Sequence, residues 1–169
     1  TWCAAKRAPS FENAVVQNVA TGCTIVINPA ACKLLVSRLP TAVDMHDWWV
    51  YQAIAAVGDV IFDDQPSILY RQHGGNVVGA AGGGIAGLAS LWTRFARRGM
   101  RVRRPTQLAE LERLFSDLWT SDQRALVRSV LDAPTSATAR LRLALGRGVV
   151  FQSPRQDVAF RILAALGRV

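Results

Sequence analysis

Four consecutive residues, His46-Asp47-Trp48-Trp49, set an ionisable pair beside two large aromatics. A carboxylate in the first turn of a helix is favoured as the anion by the helix dipole. Such a carboxylate beside a bound molecule can act as general base toward a hydroxyl. Paired indole faces suit stacking on carbohydrate rings, and they equally suit packing as core anchors. A second group, Tyr70-Arg71-Gln72-His73, runs into Gly74-Gly75-Asn76. An Arg emerging into a glycine-rich loop can meet a diphosphate with a forked donor, while the loop offers backbone N–H groups. His73 could ligate a divalent metal. A turn whose Arg is merely solvated is the alternative. Arg71 is the only Arg or Lys between residues 39 and 93, which makes its position beside the loop more telling.

Three other signals carry less. Gly74 to Gly87 is glycine-rich but lacks the Lys-Ser/Thr ending of a phosphate-binding P-loop. Asp63-Asp64 before Gln65-Pro66 has the composition of a turn. His46, His73 and the cysteines Cys3, Cys23 and Cys32 match no structural zinc spacing. An odd cysteine count without a CxxC argues against a disulfide scaffold and fits a reducing compartment.

The elements that would position these residues alternate in type. Residues 23–27 (CTIVI) form a β-branched run and read as a buried strand. Asn28-Pro29 starts a helix, AACKLLVSRL, that ends before Pro40. HDWWVYQAIAAVG is a helix with Asp47 in its first turn and Gly58 as its stop. DVIFDD and SILYRQ read as two further strands, and residues 1–14 as an irregular polar lead. This order indicates an α/β layer. Beyond about residue 85 the pattern is helical. LASLWTRFARRG comes first, then TQLAELERLFSDLW with apolar positions 108, 111, 114, 115, 118 and 119. SDQRALVRSVLDAP, TSATARLRLALG and SPRQDVAFRILAALG each open on a Ser or Thr and close near a Gly or Pro. Two domains follow from this: 1–84, α/β, and 85–169, Arg-rich and helical.

The 169 residues are half hydrophobic and 19% charged, which excludes a disordered tail and a coiled coil. The formal charge is +8, and it is unevenly spread. Residues 1–90 hold five basic and six acidic residues, whereas residues 91–169 hold fifteen Arg and six acids. That balance admits two partners. One is nucleic acid, for a basic helical module without enzymatic activity, although the arginines are spread over several helices. The other is an anionic membrane surface, since Arg94, Arg97, Arg98, Arg101, Arg103 and Arg104 surround Leu91, Trp92 and Phe95. Residues 74–93 are uncharged over about the length of a membrane span, but their glycines make a poor helix and suggest a loop.

Taken together, NVATGCTIVIN (18–28), HDWW (46–49), Gly58 before a strand, and YRQHGGNVVG (70–79) resemble, in that order, the C-terminal half of bacterial family 2 glycosyltransferases. The subgroup is the rhamnosyltransferase-like enzymes of O-antigen and capsule assembly, and the likeness covers residues 15–80 in detail. It implies an α/β chain, the C-terminal part of a GT-A fold with a helical tail. The implied reaction is inverting transfer of a sugar, with rhamnose as one candidate, from a nucleotide-diphosphate donor to a glycan or lipid-linked acceptor. By motif position Asp47 would be the base. His46, Trp48, Trp49, Thr21 and Gly22 would line the acceptor site. Arg71, Gln72, His73 and Asn76 would face the donor diphosphate, and His73 would help hold a divalent cation, Mg or Mn. The implied location is cytoplasmic, at the inner face of the plasma membrane. The family's nucleotide-binding half, with its Asp-x-Asp motif, is absent, and the chain starts at Thr1. The expectation is a piece of a longer enzyme that alone binds nucleotide sugar poorly and does not turn over.

Overall fold

The computed structural model describes residues 7–65, 68, 105–146 and 148–169. Seven α-helices order these residues: α1 (Phe11–Ala14), α2 (Pro29–Ser37), α3 (His46–Ala55), α4 (Pro105–Phe115), α5 (Ser121–Asp132), α6 (Ala137–Leu145) and α7 (Pro154–Ala165). Short 3-10 turns cover Gly22–Thr24 and Ser116–Leu118. Local chemistry sets most of the starts. The Asn28 side chain accepts the Ala31 N–H at 2.8 Å, with Pro29 in the first turn of α2. At α5 Thr120 and Gln123 cap each other's backbone reciprocally, at 3.2 and 2.9 Å. Ser136 accepts the Ala139 N–H at the head of α6.

The α/β expectation is overturned. Among the described residues 59% are helical and none is in a strand, so this is not the GT-A fold that the resemblance implied. The run at 23–27 enters a 3-10 turn and continues extended, with Val26 94% exposed. Residues 59–64 are likewise without a ladder, and Ile61 is 92% exposed. A β-branched run becomes a strand only when a second chain segment completes its hydrogen bonds, and no described segment lies alongside either run. The third expected strand, 67–72, falls outside the described residues apart from Ile68. The irregular lead at 1–14 also needs correction: Ser10 accepts the Asn13 N–H and caps α1.

One hydrophobic core joins the two stretches of sequence. Phe11, Val15 and Trp49 pack in the same cluster as Leu108, Phe115, Trp119 and Phe160. Of the stripe read at 108, 111, 114, 115, 118 and 119, positions 108, 111, 115 and 119 are fully or nearly fully buried, Leu114 is half-buried, and Leu118 is exposed on the 3-10 turn after α4. Helix α3 is central, packing on α1, α2 and α4. The Trp48 indole N–H donates to the Ala14 carbonyl at 2.6 Å and so fixes α1 on one side. On the other, the Trp49 ring meets Phe115 edge-on at 5.9 Å. Tyr51 closes the α1 contact through Asn13 Oδ1, 2.9 Å away, and burial pushes its hydroxyl up to about 12.

Polar side chains tie down the link from α2 to α3. Arg38 donates to both carboxylate oxygens of Asp117, at 2.5 and 2.8 Å, and lies 5.5 Å over the Phe115 ring. Its guanidinium holds the Asp117 carboxyl below the usual range. Glu110 accepts from the Thr41 N–H at 2.7 Å and from Arg113 at 2.7 and 2.9 Å. Arg113, then Thr41, pull the Glu110 carboxyl from 4.5 down to about 2. A carboxyl whose folded value is lowered favours the fold above its unfolded value and loses that contribution on protonation. Stability is therefore expected to decline as pH falls from 4.5 to about 2. Urea midpoints across that range would show it, with a shallower decline in Glu110→Gln; identical slopes would refute it.

Candidate functional site

Helix α3 begins with the two ionisable residues singled out by the sequence. Met45 is its N-cap and supplies no side-chain acceptor. The Asp47 carboxylate serves instead: Oδ1 accepts the Trp48 N–H at 2.8 Å. Oδ2 has no protein partner among the described residues. Asp47 is half-buried and His46 is exposed, so both reach the surface from the first turn.

Thr21 and Gly22 come to this same place across 24 residues of sequence. The Thr21 carbonyl accepts both the backbone N–H and the hydroxyl of Thr24, at 2.9 and 3.0 Å, closing a tight turn. That turn sits against the His46 ring. A Cβ built on Gly22 would lie 2.3 Å from His46 Nε2, so only glycine permits the approach. The structure thus brings the Thr21-Gly22 turn against His46, and Asp47 is the next residue along the same helix. It offers a carboxylate oxygen, an imidazole and a glycine-floored turn, which suits gripping and deprotonating a hydroxyl.

Trp48 and Trp49 occupy different ground. They are 7% and 5% exposed, and they belong to two separate hydrophobic clusters. Their ring faces are used in packing, and their part in the site is to fix the helix that presents His46 and Asp47. Arg71, Gln72, His73 and Asn76 lie outside the described residues, as do Tyr70 and the arginines from 94 to 104. Among the described residues no three His, Cys, Asp or Glu side chains are grouped to hold a metal ion. Cys23 and Cys32 are free and exposed.

Two residues escaped the sequence reading. Gln107 on α4 is 1% exposed, and its Oε1 accepts the backbone N–H groups of Asp44 and Met45, each at 3.2 Å. Its amide donates to Gln52 Oε1 on α3 at 2.9 Å. These bonds settle two orphan donors just before α3 and lock the angle at which the chain reaches His46. A polar residue beside the buried Leu108 was the available signal, since Gln interrupts an otherwise apolar face only where it has partners.

No protein-family model, no curated protein and no solved structure was found to match the chain. No helix of the described residues is long and apolar enough to cross a membrane.

Proposed function

We propose that this chain carries the acceptor side of an inverting sugar transfer, with Asp47 as general base. The reading is supported most by one observation: from the first turn of α3 Asp47 presents a carboxylate oxygen with no partner among the described residues, and the preceding residue, His46, is seated on Gly22. Asp47 takes the proton of an acceptor hydroxyl on a glycan or lipid-linked molecule. The freed oxygen attacks the anomeric carbon of a nucleotide-diphosphate sugar, and the bond to the diphosphate breaks with its electrons leaving on the nucleotide. His46 orients the acceptor hydroxyl by hydrogen bonding. The donor is assigned to Arg71, Gln72, His73 and Asn76 by motif order. No ligand set for a divalent cation is present among the described residues.

The test is transfer from a panel of nucleotide-diphosphate sugars to hydroxyl acceptors, with magnesium or manganese present, by the protein that contains this chain. Asp47→Asn is expected to lower turnover about 100-fold or more while leaving the melting temperature within a few degrees. Gly22→Ala should lower transfer as well, because the added methyl displaces an exposed imidazole that can swing away with little loss of stability. An Asp47→Asn variant as active as the parent would rule the base assignment out.

A further inference from the structure

The C-terminal third keeps apolar side chains in water. On α6 Leu141 and Leu145 are exposed, Leu145 by 75%. On α7 Val158 and Ile162 are exposed, Ile162 by 55%, as is Leu166 at its C-cap. Each set repeats every four residues, so each forms a stripe along its helix. The opposite faces are already satisfied, because Leu143 on α6 and Phe160 and Ala164 on α7 enter the core, and the two helices pack on one another.

The charge around these stripes has one sign. Residues 133–169 contain six Arg and a single acid, Asp157. That acid is consumed internally: it pairs with Arg7 at 2.6 Å and accepts the Phe151 N–H at 2.6 Å. Arg142, Arg155 and Arg168 are exposed. Arg142 also lines a groove of about 490 Å³ between α5 and α6, with Arg124, Arg128, Ser136 and Thr138, where Asp132 is the one carboxylate. Helical spacing puts Thr138 and Arg142 on the same exposed arc of α6 as Leu141 and Leu145.

We infer that α6 and α7 rest on an anionic lipid surface, with the leucine, isoleucine and valine side chains in the acyl boundary and Arg142, Arg155 and Arg168 on headgroup phosphates. Charge complementarity selects this occupant. A second copy brings the same arginine-rich face, where Asp132 is the groove's one carboxylate and cannot balance the exposed arginines. Nucleic acid would use the arginines but leave five large apolar side chains in water. Neither helix is a membrane span, and the attachment is interfacial. The inference uses none of the residues 91–104 and does not depend on sugar transfer.

Flotation of the 169-residue chain with vesicles tests the inference, using phosphatidylcholine alone and with about 30% phosphatidylserine at ~0.15 M salt. Binding is expected on the anionic vesicles only. Leu145→Ser/Ile162→Ser and, separately, Arg142→Ser/Arg155→Ser should each weaken it about tenfold or more, with unchanged helical circular dichroism because all four side chains are exposed. Three results would overturn it: binding indifferent to lipid charge, binding indifferent to the Leu145/Ile162 pair, or salt-sensitive capture of duplex DNA in place of vesicles. Concentration-dependent dimerisation abolished by the Leu145/Ile162 pair, with no vesicle binding, would overturn it too.

Discussion

Phe115→Ala is expected to cost about 3–5 kcal/mol, a large share of the ~5–15 kcal/mol that holds a domain of this size together. Phe115 is fully buried at the end of α4. Its ring takes the edge of Trp49 at 5.9 Å on one side and the Arg38 guanidinium at 5.5 Å on the other. Alanine removes the transfer term and leaves a void that three helices would have to close, since α2 supplies Arg38, α3 supplies Trp49 and α4 carries the residue itself. At about 2–4 °C per kcal/mol, the thermal midpoint should fall by roughly 10–15 °C. Phe115→Leu, which keeps most of the volume, should cost less than half as much. An alanine variant within about 1 kcal/mol of the parent would show that Phe115 does not anchor α3 to α4.

Gln107→Leu comes next in size. The leucine fits the apolar side of α4, but it abandons three groups together: the N–H of Asp44, the N–H of Met45 and the Gln52 carboxamide. An orphaned buried polar group costs about 1–3 kcal/mol, so a total loss of about 3–4 kcal/mol is expected, with partial relief if water reaches the two N–H groups. The double variant Gln52→Leu/Gln107→Leu should be more stable than the sum of the singles, because each leucine removes the partner the other would strand. Denaturant midpoints of the four proteins complete that cycle. Additive costs would mean that the two glutamines are independent. The consequence extends to the site, because the residues Gln107 holds lie immediately before His46. On the reading proposed for His46 and Asp47, a chain that loses this clamp should lose acceptor affinity in proportion to the freedom gained at Met45.

What the sequence revealed is what local chemistry decides. Asn28-Pro29, Thr120 with Gln123, and Ser136 are starts written in a few consecutive residues, and the helices begin where they stand. The stripe at 108, 111, 115 and 119 is equally local, since one helix face suffices to specify it. The strands were illegible for the opposite reason. CTIVI and DVIFDD carry β-branched and aromatic residues, but pairing is a property of two segments, and composition cannot say whether the second is there. The α/β layer inferred from them went with it. Trp48 and Trp49 were open to two readings because adjacent helical positions lie about 100° apart. Only a helix packed on both sides, as α3 is by α1 and α4, buries both. The Gln52–Gln107 clamp joins residues 55 apart and leaves no local trace. The meeting of Gly22 with His46 had a trace, a glycine in a turn, but not its purpose.

The run at Ile25–Ile27 governs how the chain behaves in the tube. Extended, uncharged and β-branched, with Val26 almost wholly in water, it is a short template for intermolecular stacking. Its reach is limited by its neighbour. Pro29 has no N–H to give to a growing ladder, so the residue that opens α2 also acts as a gatekeeper against fibril growth past Asn28. Solubility at high concentration should therefore depend on that proline, a role separate from its part in the helix.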